Sequence, residues 1–187
     1  MSDYPAQSNR IIPLKQPPTR DFTLEYLAPN CTAGTLAAAK SLLLEYGHFV
    51  AAHPSVASFC FGILKQEADN LPNSYLDQNG GAILALSNDL PIGFVAWRSL
   101  PSPELASAWE LKRLWLRPQA RGLGIGRALV QQVLDRAKVN GKSIVLLDTA
   151  PEVMPAAYRL YLQMGFEECG PYNGPPLQGI VYMRIYL

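Results

Sequence analysis

The sequence predicts a mixed α/β domain. It would be built on a mostly antiparallel sheet of about seven strands with helices on both faces, in the order β-α-α-β-β-β-α-β-α-β-β. Three observations carry this. Two strand-like runs, Gly81–Ser87 (GAILALS) and Pro91–Ser99 (PIGFVAWRS), meet at Asn88-Asp89, a short-hairpin signal that makes the early sheet antiparallel. The stretch from Ala108 to Thr149 reads strand–helix–strand, a β-α-β unit that adds a parallel pair. The chain has 187 residues, 49% hydrophobic and 17% charged, which suits one globular domain and falls short of two.

The elements follow in order. Met1 to Arg20 is polar, holds Pro5, Pro13, Pro17 and Pro18, and lacks the apolar region of a signal peptide. It reads as a flexible arm, leaving 21–187 as the single domain. Phe22–Ala28 alternates apolar positions as a strand does. Thr32–Ala52 places Leu36, Ala39, Leu43, Tyr46 and Val50 on one helical stripe, and His53-Pro54 ends it. Ser55 is placed to cap a second helix over Val56–Asn70, with Val56, Phe59 and Ile63 as its apolar stripe. Leu71–Gly80 has loop composition. The hairpin follows, then the strand Ala108–Leu116 (AWELKRLWL) and a loop rich in glycine and arginine from Arg117 to Gly126. The next helix runs to about Asn140, with Ile125, Leu129, Val133 and Ala137 on one face and Gly141 past its end. Ser143–Thr149 is nearly continuous apolar, as a strand covered on both faces should be. Met154–Met164 is helical, and Phe166–Cys169 and Gly179–Tyr186 are the final strands.

Several function classes are disfavoured early. A net charge of +1 argues against nucleic-acid or anionic-membrane binding by bulk electrostatics. No run of about 18 apolar residues is present to span a membrane. Cys31, Cys60 and Cys169 are odd in number and widely spaced, so neither a disulfide framework nor a zinc site is expected. They read as reduced thiols of a cytoplasmic protein with no metal.

The chemically richest segment is Arg121-Gly122-Leu123-Gly124-Ile125-Gly126, between a strand and a helix. A helix start offers N–H groups without intrahelical partners and the positive end of the helix dipole, a seat for phosphate. Arg117, Arg121 and Arg127 add charge beside it. Two nucleotide motifs fail here. The dinucleotide fingerprint needs glycine at position 127, which is Arg127. The P-loop would need glycine at position 136 to go with Gly141-Lys142-Ser143, and that position is Arg136.

What remains, Arg121-x-x-Gly124-x-Gly126, resembles the pyrophosphate loop of the GNAT superfamily of acetyltransferases. Leu160-Tyr161-Leu162-Gln163-Met164-Gly165-Phe166 is similar to the L-Y-x-x-x-G-F run that ends the last helix in that family. The likeness is most specific from Glu110 to Phe166 and extends over Phe22 to Leu187. Glu110-Leu-Lys-Arg-Leu-Trp-Leu-Arg-Pro118 also resembles the E-x-K-R-L-[YW]-[VL]-x-P stretch of a bacterial subgroup, many of whose substrates are unassigned. The L-D-T at Leu147 to Thr149 fits the same subgroup.

The resemblance implies the GNAT fold and an acetyl-CoA-dependent N-acetyltransferase. The acetyl group would pass to an amine of a small molecule, amino acid or peptide by direct attack in a ternary complex. It implies acetyl-CoA as co-substrate, held by Leu114, Trp115, Leu116, Arg121, Gly122, Leu123, Gly124, Ile125, Gly126 and Arg127. Pantetheine would run between the strands Leu114–Leu116 and Ser143–Thr149, where a bulge would free backbone groups for it. Dimerisation is common in the family, so a homodimer is an expected partner.

Tyr161 matches the tyrosine that stands near the cofactor sulfur, where a phenol would protonate the departing thiolate. It is also at helical packing distance from Ala157 and Met164. Glu110 matches a glutamate base of some members, with a pKa that burial would raise. An ion pair with Lys112 or Arg113 is the other reading, and the residues leave both open. Lys112 and Arg113 would meet a substrate carboxylate or form a salt-bridged face. Tyr172 and Asn173 would contact substrate or simply form the loop turn. A module of the same fold that holds acyl-CoA without turnover is the competing function, and the presence of Tyr161 and Glu110 favours the enzyme.

Overall fold

The computed structural model describes residues 21–53 and 63–187. The arm expected over residues 1–20, the Ser55 cap, Cys60 and the expected start of the second helix lie outside these residues. Among the described residues, seven strands form one sheet in the order β1-β2-β3-β4-β5-β7-β6. They are β1 (Thr23–Tyr26), β2 (Gly81–Ser87), β3 (Leu90–Ser99), β4 (Ala108–Leu116), β5 (Ile144–Thr149), β6 (Glu167–Cys169) and β7 (Val181–Tyr186). Only β4 and β5 run parallel, and every other neighbouring pair is antiparallel. The β2–β3 hairpin closes over Asn88 and Asp89, both at positive φ as a two-residue turn of matching twist demands.

Helices cover both faces. On one face lie α4 (Ile125–Val139) and α5 (Pro155–Gln163). The expected stripe Ile125, Leu129, Val133 and Ala137 is fully buried there, against Val145, Leu147 and Met183 of the sheet. On the other face lies α1 (Ala33–Ala51), whose Thr32 Oγ1 accepts the Thr35 N–H at 3.1 Å as an N-cap. Its Ala39, Leu43, Tyr46 and Val50 pack on Leu84, Phe94 and Ala96.

Two expectations are corrected. The helix α2, described over 63–69, buries Leu64 and Ala68 and leaves Ile63 57% exposed, so its stripe is one residue out of phase with the one expected. The stretch expected to be loop holds a helical turn, α3 (Asn73–Leu76), nucleated where Tyr75 is buried and donates its hydroxyl to Glu67 Oε2 at 2.8 Å.

Two irregularities in β4 shape the molecule's functional edge. Phe94 faces Trp115 and Ala96 faces Lys112, so Arg113 and Leu114 together oppose the single residue Val95. This is a β-bulge, and Arg113 within it has a φ of 60°. In addition, β4 and β5 pair only at Ala108–Glu110 against Ile144–Leu146. Beyond that rung the ladder stops, and the two strands leave a gap in the sheet.

Candidate active site

The gap is built from both strands and from the starts of two helices. A cavity of about 620 Å³ runs along it, lined by Leu114, Trp115 and Leu116 of β4, by the glycine turn, and by α5 from Pro155 to Gln163. Gly122 and Gly124 both take positive φ, 78° and 83°, and open space lies where their side chains would stand. Gly124 is the N-cap of α4 and brings no side-chain acceptor, so the first amides of α4 face the cavity mouth without an internal partner. Gly126 differs in having close neighbours. A Cβ there would stand 3.2 Å from Leu160 Cδ2, so glycine lets α4 and α5 close the cavity floor. An apolar trough ending in unpartnered amides at the positive end of a helix fits an extended ligand with a phosphate at one end.

Of the expected cofactor residues, Leu114, Trp115, Leu116, Arg121, Gly122, Gly124, Gly126 and Arg127 line this cavity. Leu123 and Ile125 do not. Ile125 is fully buried in the α4 core, so only its backbone can serve a ligand, and Leu123 is half-buried against the same cluster. Arg121 stacks on Trp115 at 5.1 Å and donates from Nε to the Leu116 carbonyl at 3.2 Å. Arg127 Nη2 reaches Gln163 Oε1 at 3.4 Å. Arg117 is corrected. It is 3% exposed and turned inward onto Glu45, with Nη2 to Oε1 at 2.7 Å, so its charge is neutralised away from the glycine turn.

A second, small cavity of about 20 Å³ adjoins the first through Leu114, Met154 and Ala157. Tyr161 lines it, together with Tyr46, Lys112, Arg113, Asp148 and Thr149. Tyr161 is 4% exposed and its ring meets Phe166 at 5.6 Å. Burial first, then the neighbouring Tyr46 and Asp148, push its phenol far above the usual range, so it stays protonated at neutral pH. Tyr158, one turn away, instead donates its hydroxyl to Glu168.

Glu110 sits at the fork, on the last rung where β4 still pairs with β5. It is completely buried, and four groups converge on it. Arg98 Nε lies at 2.7 Å, Tyr172 Oη at 3.0 Å, Lys112 Nζ at 3.3 Å and Asn173 Nδ2 at 3.4 Å. The expectation of a raised pKa is therefore corrected. Burial does push the carboxyl up, and it is the largest single influence, but Lys112 and Arg98 with the hydrogen bonds outweigh it. The carboxyl is held below its ordinary range. Lys112 is paired with Glu110 and Arg113 is not: Arg113 Nε and Nη2 clamp Glu67 at 2.9 and 3.0 Å. Tyr172 and Asn173 do more than form a turn, since both reach into the fork.

Glu67 and Glu45 were not expected at the site, and Asp148 and Thr149, though part of the L-D-T motif, carried no expected role. Glu67 and Glu45 lie on helices far from their arginines in sequence, so no local pattern marks them. Asp148-Thr149 did carry a signal, a polar pair closing an otherwise apolar strand.

A sheet that opens between two parallel strands, with a long trough running to the uncapped start of a helix and a buried tyrosine in the small cavity beside it, defines a mixed α/β protein with one elongated cleft. The chain belongs to the acetyltransferase (GNAT) family, whose model matches residues 48–166. It is 41% identical over 76 residues to an uncharacterized N-acetyltransferase of Schizosaccharomyces pombe, covering 41% of this chain and 46% of that protein. It is 34% identical over 148 residues to N-acetyltransferase 8B of Rattus norvegicus, covering 76% of this chain and 64% of that protein. In fold it is similar to the PaiA N-acetyltransferase of Thermoplasma acidophilum, solved in complex with coenzyme A. The TM-score is 0.68 at 15% identity, covering 89% of this chain and 99% of that one. The chain spans about half the length of the first curated relatives it matches. Among the described residues, no helix is long and apolar enough to cross a membrane, and no group of three or more His, Cys, Asp or Glu side chains is placed to hold a metal ion.

Proposed function

We propose that the chain is an acetyl-CoA-dependent N-acetyltransferase, acting on an amine of a small molecule, amino acid or peptide by direct attack in a ternary complex. One observation carries the reading: the bulged β4 parts from β5 beside an uncapped glycine turn, giving a trough and a phosphate seat in one line. The N-acetyltransferase names of its relatives and the coenzyme A complex of the T. acidophilum protein support it.

In this reading acetyl-CoA supplies an activated acetyl thioester, and the chain supplies position and proton handling. The amides at the start of α4, with Arg121 and Arg127 nearby, hold the pyrophosphate. The bulge at Arg113-Leu114 leaves backbone groups of β4 free to fix the thioester end. The amine attacks in its neutral form; its nitrogen passes one proton to water as the N–C bond forms, and the sulfur gains one as the C–S bond breaks. Tyr161 donates the second and recovers its proton from water. Burial that holds its phenol proton also penalises a thiolate formed beside it, so the two groups shift in the same direction. Glu110, held ionised by Arg98 and Lys112, is a weak acceptor for the first proton. It serves the site as an anchor for Lys112, Tyr172 and Asn173. A homodimer and a cytoplasmic setting belong to the same reading through the family likeness.

Calorimetric titration with acetyl-CoA tests the proposal. Wild type binds saturably. Gly124→Glu, which sets a carboxylate at the phosphate seat, loses binding by at least about 100-fold. The new side chain has open space, and its positive φ costs only about 1–2 kcal/mol, so the variant folds. Equal affinity in a folded variant would overturn the loop assignment.

A further inference from the structure

Resting on that reading, we propose that Thr149 is a second catalytic residue. Its buried hydroxyl donates a hydrogen bond to the thioester sulfur and stabilises the negative charge that gathers there as the C–S bond breaks. Strand alternation puts Val145, Leu147 and Thr149 of β5 on one face. Val145 and Leu147 pack in the same core cluster as Tyr161, so Thr149 looks onto α5. It does so at the end of β5 that lies beyond the last rung shared with β4. Thr149 and Tyr161 line the same small cavity. Leu114, Met154 and Ala157 line that cavity and the long trough alike, so the small cavity is where the trough narrows. Its volume of about 20 Å³ admits one small group and not the body of a second ligand. It suits the reactive tip of a chain whose phosphates lie at the glycine turn.

The hydroxyl itself is the independent observation. Thr149 is 3% exposed, and its Oγ1 has no hydrogen-bond partner among the described residues. A buried hydroxyl left unpaired is costly unless a ligand meets it. The cations on the same wall are already engaged, Lys112 by Glu110 and Arg113 by Glu67. Asp148, the acid on that wall, offers acceptor oxygens. A thiolate formed here must be met by neutral donors, and Thr149 Oγ1 is one that the fold leaves open beside Tyr161. The two hydroxyls divide the work. The electron pair of the C–S bond passes to sulfur, and Tyr161 delivers the proton. Thr149 keeps its own proton, because an alkyl hydroxyl is too weak an acid to give it up, and supplies only a preorganised hydrogen bond.

The experiment compares Thr149→Val, which removes the hydroxyl at nearly constant shape, with Thr149→Ser, which keeps it. In the complex with coenzyme A, the ultraviolet absorbance of the thiolate, taken as the difference from the free protein, follows ionisation of the bound thiol as pH rises. Thr149→Val raises the pKa of that thiol by at least about one unit over wild type, and Thr149→Ser leaves it within about half a unit. In turnover with an amine, Thr149→Val lowers kcat about 10- to 100-fold and leaves the KM for acetyl-CoA within about threefold. Its Tm stays at or above that of wild type, since the hydroxyl has no partner to lose, which a packing role would not allow. An unmoved thiol pKa in Thr149→Val, or Thr149→Ser as impaired as Thr149→Val, would overturn the assignment. The thiol titration needs no turnover, so a failure of the transferase reading appears separately, as absent coenzyme A binding or absent amine-dependent thiol release in wild type.

Discussion

Replacing Glu67 with glutamine should damage the site from a distance, because Glu67 holds the bulge in place. Arg113 sits at a φ of 60°, a backbone state that an arginine adopts at a cost of about 1–2 kcal/mol. It stays there because two of its nitrogens clamp Glu67 at 2.9 and 3.0 Å, while Tyr75 donates to the same carboxylate at 2.8 Å. Both side chains of the ion pair are close to fully buried, at 8% and 11% exposure. Removing one charge of such a pair strands the other, and the expected loss is about 3 kcal/mol, at the lower end for buried pairs because glutamine keeps the acceptor for Tyr75. In a domain of this size that corresponds to a fall in Tm of roughly 6–12 °C. Thermal unfolding followed by far-UV circular dichroism measures it. Glu67→Gln combined with Arg113→Met should recover at least about half of the loss, since neither charge then remains buried alone. A loss below about 1 kcal/mol in the single variant, or a double variant less stable than the single one, would refute the reasoning.

Two further predictions follow from the fork. Tyr161→Phe should lower kcat by about 10- to 1000-fold with little change in the KM for acetyl-CoA, checked by steady-state kinetics; a kcat within about twofold of wild type, with chemistry rate-limiting, would make Tyr161 a packing residue. Glu110 has a carboxyl held below its unfolded value of 4.5, so its stabilising contribution is complete above that value and is lost as pH falls through the lower folded one. Urea unfolding of Glu110→Gln should therefore show a lower stability at neutral pH and a flatter decline on acidification below about pH 4.5 than wild type shows.

How much of this was legible beforehand depended on whether a feature is local in the chain. The Asn88-Asp89 hairpin and the α4 stripe are local patterns, and both appear in the structure as expected. Arg121-x-x-Gly124-x-Gly126 is local too, and its glycines line the large cavity. The bulge is different in kind. It exists only as two residues of β4 set against one of β3, and nothing within Lys112-Arg113-Leu114 announces it. The phase of α2 turned on choosing Ile63 or Leu64, adjacent apolar residues that a periodicity cannot separate without knowing what they pack on. The sign of the Glu110 shift was missed because burial alone was weighed. Arg98, its neighbour across the β3–β4 ladder, becomes visible only once the register is known. Arg117 looked like part of the phosphate seat for the same reason, since Glu45, its partner, lies 72 positions away.

Transfer of an acetyl group from acetyl-CoA to an amine frees one coenzyme A thiol per turnover. Thiol release, followed with and without a panel of primary amines, amino acids and peptides, tests that transfer directly. Saturable release that depends on the amine and is abolished by Gly124→Glu is the expected result. Acetyl-CoA binding with no amine-dependent release across the panel would contradict it and leave a module that holds the thioester without turning it over.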